Sequence, residues 1–217
     1  MLKYFARLVV ILTAMPIHEF AHGYVASKLG DDTPERSGRL TINPLAHLDF
    51  FGTVMIMLCG VGFAKPVPVN PYNFRGDKNK GMALTALAGP VSNILMALVI
   101  MIIYKLVFYM NLMLGGVGAL STLGTIFSMM VSINISLAVF NLLPIFPLDG
   151  SRIFAPIIPE KAQNWLEDNS QIITMVLIVC IMLGFLDLPL GILNSLVVRL
   201  LDFITKFVDL IFRAILL

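Results

Sequence analysis

The sequence has few charged residues, and this scarcity excludes an ordinary soluble domain. Only 13% of its 217 residues are charged and 58% are hydrophobic, whereas a soluble domain carries about 25% charged residues. The net charge is only +2, and no basic run is interleaved with aromatic residues, so we expect no nucleic-acid partner. The composition instead predicts a multi-pass membrane protein with most of its mass in the lipid bilayer.

Cysteine and histidine are also scarce, with two and three residues respectively. Cys59 and Cys180 lie far apart in apolar stretches. They therefore form neither a disulfide framework nor a C-x-x-C metal site, and we interpret them as buried apolar residues.

Two of the three histidines fall in one pentapeptide, His18-Glu19-Phe20-Ala21-His22, which has the pattern H-E-x-x-H. On a helix, residues four apart share one face, so His18 and His22 can both bind one metal ion. Glu19 is near enough to act on a metal-bound water without being a ligand. Because Glu19 is a carboxylate within a membrane-length apolar stretch, it predicts a functional site. The alternative is that these polar residues only pack against another helix.

Four apolar stretches predict transmembrane helices, at about 2–28, 82–109, 122–143 and 172–188. At 1.5 Å per residue the first is long enough to cross ~30 Å of hydrocarbon. It starts like a signal peptide, but no small-residue cleavage site follows, so we expect it to be retained. In the tail, 190–217, the charges fall broadly on one side, which favours an amphipathic helix on the membrane surface. The prediction is an all-α bundle of about four to five transmembrane helices.

The segments between the first two spans predict extended and re-entrant structure. Residues 38–44 indicate a short β-strand. Residues 50–64 are apolar but too few to span comfortably, so a re-entrant hairpin is expected. The proline-rich segment 65–70 predicts an extended edge near the site, whose free backbone groups could pair with an unwound substrate. His47 is either a further metal ligand or a loop histidine bonded to nearby backbone.

The decapeptide N-L-L-P-I-F-P-L-D-G at 141–150 follows the third span directly. Its prolines break the helix, and irregular backbone at membrane depth is tolerated only inside protein or facing a water-filled cavity. Asp149 in this place suits a metal ligand. Two histidines and one carboxylate form a known three-ligand set for catalytic zinc that leaves the fourth position to water. The alternative is that Asp149 and Gly150 only form a turn at the membrane surface.

Basic residues cluster in three segments, 28–39, 65–80 and 152–161, whereas the loop 111–121 has none. By the positive-inside rule, the three segments face the cytoplasm and the N-terminus lies outside. This arrangement brings the two motif histidines, the extended segment and Asp149 towards the cytoplasmic face.

With H-E-F-A-H and N-L-L-P-I-F-P-L-D-G, the chain resembles the site-2 protease family of intramembrane zinc metalloproteases. The segments R-L-T-I-N-P-L-A-H-L-D, F-A-K-P-V-P-V-N-P and A-G-P-V-S-N match as well, so the resemblance covers about residues 8–155. The chain looks like a minimal member without a PDZ or regulatory domain. Residues 1–155 would form the metalloprotease core, and 156–217 a polar loop, a transmembrane helix and an amphipathic helix.

The resemblance implies one Zn²⁺ ion per chain, held by His18, His22 and Asp149, with Glu19 as general base. It also implies supporting roles near the scissile peptide for Asn141 and Asn93, although Asn93 could equally be a helix-packing contact.

The implied activity is cleavage of membrane-anchored substrates in the lipid bilayer, in a bacterial plasma membrane with the site towards the cytoplasm. Val67 and Val69 are hypothesised to hold the unwound substrate, and the oligomeric state stays open. Two rival hypotheses are a metal transporter that uses the three zinc ligands as a transit site, and a proteolytically dead adaptor.

Overall fold

The structure is a computed structural model that describes residues 2–59 and 64–216, and these residues are mostly helical. Single 3₁₀ turns occur at Pro71–Asn73 and Ala155–Ile157. In the described part of the chain, the α-helices are α1 (Leu2–Lys28), α2 (Thr33–Arg36), α3 (Pro44–His47), α4 (Phe50–Cys59), α5 (Lys78–Met113), α6 (Gly118–Asn141), α7 (Asp149–Phe154), α8 (Glu160–Asp168), α9 (Ser170–Met182), α10 (Asp187–Ile204) and α11 (Lys206–Leu216).

Among the described residues, three helices are long and apolar enough to cross a membrane: α1 from Arg7 onwards, α5 and α6. They correspond to the first three predicted spans. The helices α5 and α6 pack against each other as a hairpin joined by residues 114–117, where Gly115 and Gly116 adopt positive φ angles that favour glycine. Helix α1 packs against both. The core between them consists of Ala14, Ala97, Ile100, Met101, Met130, Val131, Ile135 and Val139, together with Leu201 from α10.

The chain directions bring the polar motifs to one end of this three-helix core. His18 and His22 lie in the second half of α1, whereas Gly89 lies in the first third of α5. Because α6 runs back along α5, its last residue, Asn141, reaches the same end. The break after α6 then leads directly to Asp149, the first residue of α7. Residues that are 130 positions apart in the sequence are thus neighbours in space.

The β-strand predicted at 38–44 is wrong, and the extended edge predicted at 65–70 does not pair as a strand: no strand occurs within residues 2–59 and 64–216. Residues 38–44 form turns, and Asn43 then caps α3 by accepting a hydrogen bond from the Leu45 N–H. Residues 65–70 are extended, but no second strand lies beside them. Their N–H groups bond instead to other acceptors: Lys65 donates to the His47 carbonyl and Asn70 donates to the Asp31 carboxylate. An extended pattern alone could not reveal this missing partner.

The predicted re-entrant hairpin at 50–64 falls partly on residues 60–63, which lie outside the described residues. The described part is the helix α4, which does not by itself support a hairpin. Arg7 on α1 donates to the carbonyl of Met57 in α4 at 3.1 Å, so α4 lies along the first span.

The C-terminal part differs from the prediction. The fourth span, expected at 172–188, is represented by α9, whose 13 residues would cover only about 20 Å. It qualifies as a span only together with α8, from which it is bent by 72°. The tail forms α10 and α11 rather than one surface helix, and α10 packs on α6 and buries Leu201. Two acids of the tail, Asp202 and Asp209, form ion pairs with Lys105 of α5, a contact that spacing within the tail could not indicate.

Candidate metal centre

The two motif histidines meet through their Nε2 atoms. One turn of α1 separates His18 from His22, and their Nε2 atoms lie 3.0 Å apart. Both side chains are largely buried. Two imidazole nitrogens that converge in this way present their lone pairs to a common point, as a shared cation requires.

Asp149 completes a group of three donors. Its Oδ2 atom lies 3.2 Å from Nε2 of His18 and 3.4 Å from Nε2 of His22. Within the described residues this oxygen is buried and has no hydrogen-bond partner. A buried carboxylate oxygen without a donor is unfavourable unless a cation compensates it. The donor set and this orphaned oxygen therefore fit Zn²⁺, which binds histidine nitrogen and carboxylate oxygen.

Gly150 allows the chain to bring Asp149 close to the two histidines. A Cβ atom at Gly150 would overlap the Leu143 carbonyl oxygen and approach the Leu142 carbonyl oxygen to 2.5 Å. Only glycine allows the end of α6 and the start of α7 to approach each other so closely. Asp149 and Gly150 form the first two residues of α7 rather than a turn, and this close approach directs the carboxylate at the histidines.

His22 is fixed by the backbone of α5. Its Nδ1 lies 2.7 Å from the carbonyl oxygen of Thr85. Because a carbonyl can only accept, Nδ1 carries the proton and Nε2 keeps a free lone pair. This hydrogen bond sets both the ring orientation and the tautomer that a metal ligand needs.

His18 has a matching neighbour in Asn93, which the sequence analysis left between a site role and a packing role. The amide nitrogen of Asn93 lies 3.1 Å from His18 Nδ1, and Asn93 is only 1% exposed. The amide oxygen of Asn93 is buried without a partner in the described part of the chain. If the amide is rotated by half a turn, its oxygen accepts a hydrogen bond from a protonated His18 Nδ1. The amide oxygen and Nδ1 then each have a hydrogen-bond partner.

Gly89 allows α5 to approach both histidines. A Cβ atom at this position would lie 2.6 Å from Cε1 of His18 and 2.5 Å from Cε1 of His22. Real Cβ contacts essentially never occur at such distances. The Gly-Pro pair at 89–90 therefore makes room for the two imidazole rings.

Glu19 lies outside the three-donor group and contacts the extended segment. Its Oε2 atom accepts a hydrogen bond of 2.9 Å from the backbone N–H of Val67. The prediction placed Val67 at a substrate strand, but its N–H is already bonded to Glu19. This bond holds the carboxylate in one place.

The extended segment is itself anchored by Asp31, which is fully buried. Asp31 accepts hydrogen bonds from the Asn70 N–H at 2.7 Å and from the Asn73 side chain at 2.8 Å. Burial alone raises the pKa of the Asp31 carboxyl. The hydrogen bonds from Thr33, Asn70 and Asn73 outweigh burial, so the pKa lies below its ordinary value of 3.8. The segment is therefore tied at both ends, to Asp31 and to the His47 carbonyl.

A cavity of about 320 Å³ connects these groups, a size typical of ligand sites. Every predicted site residue lines it: His18, Glu19, His22, Val67, Val69, Asn93, Asn141 and Asp149. Thr85, Ala86 and Arg152 also line it, and the sequence analysis did not single them out. Thr85 acts through its carbonyl, which every residue carries, so no sequence signal could have indicated it. Arg152 was detectable only as a cation three residues after Asp149.

Among the described residues, His47 and Cys180 are not part of this centre. The Nε2 atom of His47 lies 2.7 Å from the Thr41 carbonyl, and the side chain is 1% exposed. It does not belong to the group of three donors. Cys180 is a free cysteine that is half-buried rather than buried as expected.

A family model described as Peptidase family M50 matches residues 6–185. The chain therefore belongs to this family, the site-2 protease family that its motifs resemble. Given this membership and the three converging donors, it is a zinc metalloprotease with Zn²⁺ as its cofactor. Its three long apolar helices fit a multi-pass membrane protein.

Individual relatives are consistent with this family. "Putative zinc metalloprotease YwhC" of Bacillus subtilis (strain 168) is 41% identical over 152 residues, or 70% of this chain and 68% of that protein. "Putative zinc metalloprotease Rip2" of Mycolicibacterium smegmatis is 26% identical over 77% of this chain and 64% of its own length. "Zinc metalloprotease MJ0392" of Methanocaldococcus jannaschii is 24% identical over 70% of this chain but only 34% of its own length. No solved structure matches the chain significantly.

Proposed function

We propose that this protein is an intramembrane protease that hydrolyses peptide bonds in or near transmembrane segments of membrane-anchored proteins. In this proposal, His18, His22 and Asp149 hold one zinc ion, and Glu19 is the general base. The observation that carries it is the convergence of three largely buried donor side chains, two from α1, a helix apolar enough to span a membrane, and one from the first residue of α7.

The chemistry of the proposal follows from the positions of the side chains. Bound zinc would supply a Lewis acid that activates water and polarises the scissile carbonyl. Glu19 takes the proton of the attacking water and later returns it to the leaving amine. The hydrogen bond from the Val67 N–H keeps the Glu19 carboxylate at the cavity throughout. Thr85 and Asn93 orient the two imidazoles.

The substrate must reach the cavity as unwound chain, because a transmembrane helix has its carbonyls hydrogen-bonded internally. The segment 65–70 supports this step. Within the described residues none of the carbonyls of 65–69 accepts a hydrogen bond, and among its N–H groups only that of Val69 lacks a partner. We therefore propose that the substrate backbone pairs here, through Val69 and the free carbonyls, near the cavity that Asn141 also lines.

The side of the membrane and the division of the chain also belong to this proposal. The basic segments 28–39, 65–80 and 152–161 surround the metal end of the helices, which supports a cytoplasmic site. Residues 1–155 contain every proposed site residue, so they form the proposed protease core, and 156–217 the C-terminal unit.

The Glu19→Gln variant tests the general base. It should keep stoichiometric zinc, because Glu19 is not among the three donors, and it should lose cleavage of a model membrane-anchored substrate by orders of magnitude. The measurement pairs metal analysis of the purified protein with cleavage in proteoliposomes. Cleavage at the wild-type rate would refute the role of Glu19. Zinc flux that persists in Glu19→Gln without any cleavage by the wild type would favour a transporter.

A test of the proposed substrate contact needs a variant that keeps the hydrogen bond between Glu19 and the Val67 N–H. Val67→Pro would remove the N–H that holds Glu19, so a loss of activity there would not identify substrate pairing. Val69→Pro removes an N–H without a partner in the described part of the chain. It should raise KM or abolish cleavage while zinc content stays unchanged. Unchanged turnover by Val69→Pro would exclude pairing through this residue.

A further inference from the structure

A second charged cluster lies within the helices, far from the metal centre. Lys105 on α5 is only 6% exposed, and its Nζ lies 2.8 Å from Asp202 and 2.5 Å from Asp209. Tyr109 donates a further hydrogen bond of 3.0 Å to Asp209. The two acids of α10 and α11 are therefore engaged by α5, and Lys105 lies about 24 Å along α5 from Gly89.

Three basic residues of the same helices are left without such partners. Arg199 lies on α10, and Lys206 and Arg213 lie one above the other on α11, seven residues apart. All three are exposed, and none forms an ion pair within the described ranges. They line a cavity of about 290 Å³ together with Asp202, Phe203, Asp209 and Leu210. Counting Lys105, four cations face two carboxylates, so the cluster carries a net charge of +2.

The surface around these cations is apolar. Phe203 is 72% exposed, Leu210 58% and Ile211 54%. In a multi-pass membrane protein such side chains contact acyl chains rather than water. Lys105 lies eight residues, or about 12 Å, before the end of α5, so the cluster lies towards one end of a helix that is long and apolar enough to span the bilayer. An occupant that matches this surface has an anionic group and apolar chains in one molecule.

We propose that Arg199, Lys206 and Arg213 bind the phosphate of an anionic phospholipid whose acyl chains cover the apolar side chains of α10 and α11. Arginine and lysine are the usual phosphate partners. Each cation near an anionic membrane surface contributes about a fivefold increase in affinity, so the three together contribute roughly a hundredfold. A soluble phosphate would match the charge but would leave the apolar surface uncovered.

The test uses the full-length protein in a neutral detergent, titrated with phosphatidylglycerol or phosphatidylcholine. Bound lipid is counted by native mass spectrometry, and the thermal midpoint is followed in parallel. We expect the wild type to prefer phosphatidylglycerol. The triple variant Arg199→Gln, Lys206→Gln, Arg213→Gln should lose this preference by about a hundredfold. The matched control Lys78→Gln, Lys80→Gln, Lys161→Gln removes three exposed cations at other sites and should keep it.

Two further arms keep the result decisive. If the triple variant does not fold, which its zinc content reports, Arg213→Gln alone should still weaken phosphatidylglycerol binding about fivefold. A preference that survives these changes, or equal binding of both lipids by the wild type, would overturn the proposal. Displacement of the lipid by millimolar inorganic phosphate would also overturn it, because the site would then recognise soluble phosphate.

Discussion

Replacing Asn93 by leucine should weaken zinc binding without changing any of the three candidate ligands. Leucine has the same number of side-chain heavy atoms with the same branching at Cγ, so the buried position stays filled. His18 Nδ1 would lose the Asn93 amide, which lies 3.1 Å away and is its hydrogen-bond partner among the described residues. An unsatisfied buried group costs about 1–3 kcal/mol, and loss of such an outer partner weakens metal affinity about 10–100-fold. Asn93→Asp should keep or increase the affinity, because a carboxylate accepts the same hydrogen bond.

The measurement is zinc competition against a fluorescent chelator with the purified protein in detergent, and it does not depend on cleavage. Asn134 provides the matched control. It is a fully buried asparagine of α6 whose amide donates to the Met130 carbonyl at 2.8 Å, and it does not line the metal cavity. Asn134→Leu should reduce stability but not the zinc affinity of the folded protein. Equal zinc affinity of Asn93→Leu and wild type would refute the argument, and so would an equal loss in Asn134→Leu.

Two further predictions concern backbone space and pH. Gly89→Ala should lower zinc affinity at least as strongly as Asn93→Leu, because its Cβ would overlap both imidazoles. The control Gly124→Ala should be tolerated, since the nearest atom to its Cβ belongs to Tyr104, at 3.9 Å. Similar losses of zinc affinity in both variants would contradict this. The pKa of Asp31 is lowered in the folded protein, so the unfolded chain binds more protons at low pH. The ionised Asp31 carboxylate therefore stabilises the fold above pH 3.8, and this stabilisation is lost as the pH falls below that value. The thermal midpoint of the wild type should therefore fall between about pH 6 and about pH 3 by more than that of Asp31→Asn. Parallel curves for the two proteins would show that Asp31 does not contribute.

The local part of the candidate site was predictable from the sequence. His18 and His22 are one helical turn apart, and helix geometry alone places them on one face. Asp149 was a weaker prediction, because its approach depends on how α6 ends and on the missing Cβ of Gly150. The link from Glu19 to the backbone of Val67 was not predictable, since any residue other than proline offers the same N–H.

The contacts between distant segments were beyond the reach of sequence patterns. The residues of 38–44 and 65–70 favour extended backbone, but a strand also requires a partner. The hydrogen bonds of 65–70 go to Asp31, His47 and Glu19 instead. The charges of the tail suggested a water-facing side, whereas Asp202 and Asp209 form ion pairs with Lys105, about one hundred residues earlier. The spacing of residues within a segment predicts which side chains share a face, but not which other segment that face contacts.

The prolines of the extended segment also bear on how copies of this protein behave when crowded in a membrane. Two like edges can associate only if each supplies both donors and acceptors. Pro66 and Pro68 have no N–H, and the N–H groups of Lys65, Val67 and Asn70 are already bonded. The segment therefore has free carbonyl acceptors but almost no free N–H donors, so two such segments cannot pair as β-strands. An open edge beside the metal centre is in this way protected from self-association.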